Sequence, residues 1–295
     1  MLHQRTAIVT GAGGGLGRAH ALELARRGAR VLVNDLDAES AQAVASEIVE
    51  MGGEALPFAC SVTDRDAVAA MVAFSHEQWG RVDILVNNAG ILRDKSFAKM
   101  PLDDFALVVA VHLMGAATCT RAVWNIMREQ GYGRIILTSS SSGLYGNFGQ
   151  ANYGAAKMAL VGLMQTLAIE GAKSDIRVNC LAPTAATGMT GDIWTPEALA
   201  HLDPALVSPA VAFLASEDAP TRAILCAGAG HFSTANITLG PGYFVGGGEN
   251  AAEELARNWG KASSRAGEIV PTQGFAQVER EIAAAGGGPA RLTLR

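Results

Sequence analysis

Tyr153 and Lys157, in the run Tyr153-Gly154-Ala155-Ala156-Lys157, are the residues best suited to chemistry. Four residues apart on a helix, they project from one face. A free phenol, with a pKa of about 10, is a poor acid or base near neutrality. A cation at i+4 favours the phenolate, so Lys157 is expected to lower the Tyr153 pKa toward the working range. Such a pair is common on solvated helix faces. Its weight comes from three other stretches: a glycine-rich turn near the N-terminus, the turn Asn87-Asn88-Ala89-Gly90, and Ser140, thirteen residues before the tyrosine.

The glycine turn needs elements that place it. Ala7-Ile8-Val9-Thr10 reads as a buried parallel strand, and Ala19 to Arg27 as the following helix. Between them lies Gly11-Ala12-Gly13-Gly14-Gly15-Leu16-Gly17. Strand, glycine turn and helix together form a pyrophosphate cradle: missing side chains admit the ligand, and free N–H groups at the helix start bind it. Gly11, Gly14, Gly15, Leu16 and Gly17 are the expected contacts. Val31-Leu32-Val33 is the next strand, and Asp35 lies eighteen residues after Gly17. A carboxylate there reads adenosine ribose hydroxyls and repels a 2′-phosphate, which favours NAD over NADP. Asp37 is better placed to cap the helix near Ala38, leaving Asp35 free. Ser61 and Val62 end the strand Ala55 to Cys60, where an adenine ring can rest.

Further strands are expected at Val82–Val86, Arg134–Thr138, Ile176–Leu181 and Ala223–Ala227. Helices are expected at Asp64–Trp79, Leu102–Gln130, from Tyr153 to about Lys173, and at Pro204–Ser216. Small residues at Asn88, Ala89 and Gly90 suggest backbone packed closely against a ligand or a neighbouring strand. His112 sits on the mostly apolar face of the long helix, with Phe105, Val108, Val109 and Ala116. The irregular run Pro183 to Pro204 has the composition of a loop that shapes a substrate mouth. This alternation predicts an α/β fold, a doubly wound seven-stranded parallel sheet of Rossmann type. Residues 1–248 form that domain. Residues 249–295, with helices near Asn250–Trp259 and Gln277–Ala285, form an extension on the domain or on a partner subunit, its last residues disordered.

Composition narrows the classes. The 295-residue chain is 49% hydrophobic and 17% charged, as a well-buried globular protein is, and its net charge of −5 comes without a basic cluster. Nucleic acid and anionic membrane are therefore poor partners. Cys60, Cys119, Cys180 and Cys226 lie far apart, with no metal-ligand spacing, and read as reduced, buried thiols. The early first strand leaves no signal peptide, and the uncharged stretch Ala223 to Gly248 is too rich in glycine to span a bilayer. A cytoplasmic location is expected.

Taken in order, Thr10 to Gly17, Asn87-Asn88-Ala89-Gly90, and Ser140 with Tyr153 and Lys157 resemble the short-chain dehydrogenase/reductase family over roughly Thr6 to Gly230. Asn34-Asp35-Leu36, the run Asn88 to Asp94, and the run Leu144 to Tyr153 are similar to its (3R)-hydroxyacyl-CoA dehydrogenase branch, that of peroxisomal multifunctional enzymes. The chain has no room for the hydratase and sterol-carrier domains found there, so a free-standing dehydrogenase is expected. The resemblance implies strand order 3-2-1-4-5-6-7, a site at the carboxyl ends of the strands, and a homodimer or homotetramer built through the helices beginning near Leu102 and Asn152. It implies that Asn88, Ala89, Gly90, Tyr153, Lys157, Pro183, Ala185 and Thr187 also contact the cofactor.

Several positions depart from the family pattern. His112 stands where most members have an asparagine that helps relay protons through water; the multifunctional branch also has His, which implies a relay role. Ser61 replaces the usual aspartate near adenine. Ala182-Pro183-Thr184-Ala185-Ala186-Thr187 lacks the usual Pro-Gly, though Thr187 stays within reach of the nicotinamide amide. The implied reaction interconverts a secondary alcohol and a ketone: Tyr153 is the general acid/base, Ser140 fixes the reacting oxygen, and Lys157 tunes Tyr153 and binds the nicotinamide ribose. A (3R)-hydroxyacyl thioester is the leading substrate. The alternatives are a hydroxysteroid or another bulky alcohol, and a non-catalytic NAD-binding module.

Overall fold

Short apolar runs and amphipathic ones alternate, and the structure follows them. The computed structural model describes residues 1–187 and 195–288. Its elements in chain order are β1 (Thr6–Thr10), α1 (Gly15–Arg26), β2 (Arg30–Asp35), α2 (Ala38–Glu50), β3 (Glu54–Ala59), α3 (Arg65–Trp79), β4 (Ile84–Asn87), α4 (Leu102–Val109), α5 (Gly115–Gln130), β5 (Gly133–Thr138), α6 (Ser141–Tyr145) and α7 (Ala151–Gly171). Then come β6 (Ile176–Thr184), α8 (Pro196–Leu199), α9 (Ser208–Leu214), β7 (Ile224–Gly228), β8 (His231–Ala235), α10 (Ala251–Arg257), α11 (Trp259–Ala262) and α12 (Phe275–Ala284).

Among the described residues the sheet has eight strands, in the order β3-β2-β1-β4-β5-β6-β7-β8. Seven are parallel, as expected; β8 is an addition and runs antiparallel to β7. The turn between them is Ala229-Gly230, both at positive φ (51° and 73°). Two consecutive residues of that kind match the twist of a tight hairpin. Because the turn is Ala-Gly rather than Asn-Gly, and His231-Phe232-Ser233-Thr234-Ala235 does not alternate cleanly, the sequence carries little trace of this strand. β6 also runs on to Thr184, past the expected end at Leu181, and pairs there with β7.

Alternate strand residues feed two cores. Ala7, Val9, Val31, Val33, Ile84 and Val86 pack with α1, α2 and α9 on one face. Ile8, Leu32, Leu85, Ile135 and Leu137 pack with α3, α5 and α7 on the other. All residues of β1 and β5 are buried, as in a sheet covered on both faces. Asp37 and Asp64 cap α2 and α3 by accepting backbone N–H groups. The four cysteines are free thiols; Cys119 and Cys180 are buried as expected, whereas Cys60, at the carboxyl-end crevice just past β3, and Cys226, on β7 beside the edge strand β8, are only half-buried.

The long helix is not one uniform element: a π-helical turn, Ala110–Met114, joins α4 to α5 and carries His112. Such bulges tend to occur at functional sites. By length and composition Leu102–Gln130 could cross a membrane. Its apolar residues Val108, Ala116, Cys119, Val123 and Met127 are instead buried in the core.

The chain divides into two compact units, Met1–Ala235 and Asn236–Arg295, a division earlier than the one expected at Gly248. The second unit holds α10, α11 and α12, none with a buried residue. It is held by a bridge between Leu239 and Ile269 and by Lys261 4.9 Å from the Tyr243 ring. Of the expected loop Pro183 to Pro204, residues 188–194 lie outside the described residues, as do 289–295, on which part of the expected terminal disorder falls.

At the amino ends of the strands, the fully buried Asp83 accepts from the Thr6 N–H at 2.9 Å, from Arg5 at 3.1 Å and from both arms of Arg81 at 2.6 Å. Removing one member of a buried ion pair leaves an uncompensated charge. Asp83→Asn is expected to lower the unfolding free energy by about 3 kcal/mol in urea titration; a loss under about 1 kcal/mol would assign the network no stabilising role. Two histidines add a pH dependence. His20, its Nδ1 2.9 Å from Ser208 Oγ, and His112 are buried, and burial pushes both imidazoles from 6.5 down to about 3. The unfolded chain binds a proton at each near pH 6.5, the folded chain only near 3. Their contribution is therefore intact above the unfolded value and lost as pH falls, by about 1.4 kcal/mol per pH unit for each ring. Stability is expected to drop on that slope between pH 6 and 5, and NMR to show neither ring titrating near 6.5 in the folded protein.

Candidate active site

The site begins where the strand order reverses, between β1 and β4, whose onward connections leave in opposite directions. Such a switch point opens a crevice at the carboxyl ends of the strands. The two strand ends are stitched together. Thr10 Oγ1 accepts from the N–H groups of Asn88 (3.0 Å) and Ala89 (3.1 Å), and Asn88 Nδ2 donates to the carbonyls of Thr10 and Gly11, each at 3.0 Å. Gly11 turns at φ 62°, and a Cβ there would lie 2.8 Å from Ala89 Cα. At Gly17 a Cβ would lie 2.1 Å from Gly11 O, so no side chain fits where α1 packs on its own turn. α1 starts at Gly15, and its N-cap residue, Gly14, provides no side-chain cap. Its first N–H groups therefore lack the partner that Asp37 and Asp64 supply elsewhere.

Asp35, at the end of β2, lies against this turn. Its carboxylate accepts from the Gly13 N–H at 2.8 Å and the Asp37 N–H at 3.2 Å, while Asp37 caps α2 as expected. Asp35 is thus pinned rather than free, with its carboxylate at the rim.

A cleft of about 580 Å³ runs from this turn across the strand ends. Gly11, Gly14, Gly15, Leu16, Gly17 and Asp35 line it, as do Ser61, Val62, Asn88, Ala89 and Gly90, and His112, Ser140, Tyr153, Lys157, Pro183, Ala185 and Thr187. All the site residues expected from the sequence thus share one cavity. Its volume is in the range of small-molecule sites.

The groups suited to proton transfer come from three elements. Ser140 is the N-cap of α6, accepting from the Ser142 N–H at 3.2 Å. Tyr153 and Lys157 lie on successive turns of α7. Lys157 is buried, donates to Thr138 O at 2.5 Å, and has its Nζ 5.4 Å from the centre of the Tyr153 ring. Burial pushes the amine down to about 7. Burial also pushes the Tyr153 phenol above its usual value, Ser140 pulling it back by a hydrogen bond and the Asp94 charge raising it. This corrects the expectation that Lys157 acidifies Tyr153: desolvation outweighs the opposing influences on the phenol, and the same burial weakens the lysine's hold on its proton.

His112 packs edge-on to Tyr153, ring centres 5.2 Å apart at 89°. Its Nε2 lies 2.8 Å from Ile91 O and 3.1 Å from Ile91 N. A Cβ at Gly90 would come 2.2 Å from the imidazole, so the ring's position requires glycine there.

A polar wall beside Tyr153 is not predicted by the sequence reading. Gln150 Nε2 donates to Asp94 Oδ2 at 2.6 Å, and Ser142 Oγ donates to Gln150 Oε1 at 2.8 Å. Asn147 donates to Ser142 Oγ at 2.8 Å, and Asn152 ties the wall to Arg93 O at 3.0 Å. Ser142, Asn147 and Gln150 line the cleft. The signal available was the placement of Gln150 three residues before Tyr153, at the N-cap of α7.

These features fit a dinucleotide: an uncapped helix start, a turn without side chains, and a carboxylate beyond it. A family profile described as short chain dehydrogenase matches residues 5–198. The chain is 43% identical to peroxisomal multifunctional enzyme A of Dictyostelium discoideum over 97% of its own length and 66% of the relative's. It superposes on full-length peroxisomal multifunctional enzyme type 2 from Drosophila melanogaster with a TM-score of 0.81 at 36% identity, covering 96% of this chain and 49% of that one. A 7α-hydroxysteroid dehydrogenase complexed with NADH and 7-oxo glycochenodeoxycholic acid superposes with a TM-score of 0.73 at 31% identity, over 78% of this chain and 94% of that one. The chain thus spans 66% or less of the multifunctional relatives it matches. With its crevice, glycine turn and Ser-Tyr-Lys face, the chain belongs to the short-chain dehydrogenase/reductase family, as an oxidoreductase acting on a CH–OH group.

Proposed function

We propose that the chain interconverts a secondary alcohol and its ketone with NAD, most readily a (3R)-hydroxyacyl thioester and its 3-oxo form. The observation that carries this reading is the convergence of Ser140, Tyr153 and Lys157 on the cleft that begins at the uncapped start of α1. The N–H groups at Gly14 to Leu16 would hold the pyrophosphate, Asp35 the adenosine ribose, and Lys157 the nicotinamide ribose. When bound, NAD would supply a hydride acceptor for the carbinol carbon in the oxidative direction. The chain's own residues handle the proton. Tyr153 Oη exchanges it with the substrate oxygen: as the phenol it gives the proton to the ketone in the reductive direction, and in the oxidative direction it takes the proton once ionised to the phenolate. Ser140 Oγ hydrogen-bonds the same oxygen and fixes its place.

Likeness to the multifunctional enzymes supports the thioester. A hydroxysteroid is the second reading, supported by likeness to the dehydrogenase holding a 7-oxo bile acid. A module that only binds NAD would leave the Ser-Tyr-Lys face without a use. Assembly into a homo-oligomer is supported by exposed Leu102, Leu107 and Met114 on the long helix and by Met158 and Ile169 on α7.

Tyr153→Phe is expected to cut turnover about 10²–10⁴-fold while leaving the NAD dissociation constant unchanged. Near-normal turnover of 3-hydroxyacyl thioesters and hydroxysteroids by that variant would defeat the scheme. Asp35→Asn keeps an acceptor for the Gly13 N–H but removes the charge. The ratio of kcat/KM for NADP⁺ to that for NAD⁺ is expected to rise about tenfold, a difference of about 1.4 kcal/mol. An unchanged ratio would show that Asp35 does not select the cofactor.

A further inference from the structure

Ile91 and Leu92 line the cleft, and the three residues that follow them, Arg93, Asp94 and Lys95, all carry charge. The backbone of this segment is tied down along its length. Ile91 N and O meet the His112 ring, Asn152 Nδ2 donates to Arg93 O at 3.0 Å, and the Lys95 N–H donates to Gly149 O at 2.9 Å. The side chains divide. Asp94 faces the polar wall, where it accepts from Gln150, whereas Arg93 and Lys95 both turn toward Asp104 on α4. That carboxylate lies 4.0 Å from Arg93 Nε and 3.7 Å from Lys95 Nζ, too far for hydrogen bonds. Arg93 spends one N–H on its neighbour Leu92 O at 2.8 Å. Two cations thus share one carboxylate, which leaves a positive charge over, and their side chains are 51% and 52% exposed. Exposed ion pairs of this kind add little to stability, so the fold does not account for the arrangement.

Gly149, whose carbonyl holds Lys95, is one of two glycines at positive φ (Gly146 at 80°, Gly149 at 83°) that turn the chain around Phe148. The Phe148 side chain is held out to water, the residue being 94% exposed. The turn that carries this ring is therefore bonded to the segment that carries the cations. Phosphate oxygens accept charge-assisted N–H bonds from Arg and Lys. A purine stacks on an aromatic face. We infer that Arg93, Lys95 and Phe148 form a docking site for the nucleotide end of a coenzyme A thioester, with its phosphates on the two cations and its adenine on the ring. The acyl end then passes Leu92 toward Ser140 and Tyr153. Asp104 competes with the phosphates for the cations.

This site rests on the thioester reading given above, and direct binding keeps the two apart. Calorimetry on the full chain saturated with NAD⁺ is expected to show CoA binding, weakened about tenfold in the double variant Arg93→Glu/Lys95→Glu. The NAD⁺ dissociation constant of that variant is expected to stay unchanged. Asp104→Asn removes the competing carboxylate and is expected to tighten CoA. Phe148→Ala is expected to weaken CoA about tenfold and to leave 4′-phosphopantetheine, which has no base, unmoved. In turnover, the double variant is expected to raise KM for a 3-hydroxyacyl-CoA at unchanged kcat. Its kcat/KM for the pantetheine thioester of the same acyl group is expected to match that of the wild-type chain. Salt screens exposed charges, so added salt is expected to lower wild-type kcat/KM for the CoA thioester alone. CoA binding that is absent, or equal in the wild-type chain and the double variant, overturns the site, as does an equal loss with the pantetheine thioester. Failure of the wild-type chain to turn over either thioester defeats the thioester reading, and CoA binding then decides the site.

Discussion

The side chains of Thr10 and Asn88 hold the ends of β1 and β4 together, and the rest of the site depends on that joint. One hydroxyl and one amide satisfy backbone groups that neither strand can pair once its neighbour has ended. A buried peptide group left unpaired is costly, so the joint is held by more than packing. With it in place, Gly11 turns tightly, Gly17 packs on its carbonyl, and α1 starts with its donors exposed to the crevice. The same strand end leads through Ala89 to Gly90, whose missing side chain leaves room for His112. The glycine turn and the Ser-Tyr-Lys face are thus two sides of one junction.

Burial then sets the electrostatics. Lys157 and His112 both lose solvent, and both are pushed toward their neutral forms. Tyr153 is also pushed toward its neutral form, the phenol. A site in this condition carries little fixed charge of its own at its centre, while Asp35 and Asp94 supply negative charge at its edges. The amino ends of the strands show the opposite arrangement. There Asp83 is buried with two arginines in contact, and Arg5 and Arg134 stack on Tyr132, 3.6 and 4.0 Å from its ring centre. Charge is compensated at the structural end of the sheet and removed by desolvation at the chemical end.

Much of this was legible in the residues. Strands buried on both faces read as short apolar runs, and the glycine turn is recognisable because it stands between such a run and a helix. The cap at Asp37 follows from local pattern, whereas the meeting of every proposed contact in one cleft comes from the parallel sheet that brings the strand ends together. β8 was not legible, since an edge strand needs no alternation and Ala-Gly is a weak hairpin signal. Nor was the π-helical turn, because inserting one residue into a helical turn scarcely disturbs the apolar periodicity around His112. The wall of Asp94, Ser142, Asn147 and Gln150 joins segments more than fifty residues apart through hydrogen bonds, and pattern within either segment says nothing of the other.

The order of elements, the glycine turn, the acidic residue after β2 and the Ser-Tyr-Lys set were determined by the sequence alone, because each depends on residue type and on spacing within a few turns of chain. Only the tertiary structure decided the ionisation of Tyr153 and Lys157. A neighbour four residues away is a local fact, but the loss of water around it is produced by the packing of β5, β6 and the π-helical turn. Desolvation is a property of the whole enclosure, and it reversed what the spacing alone predicted for the phenol.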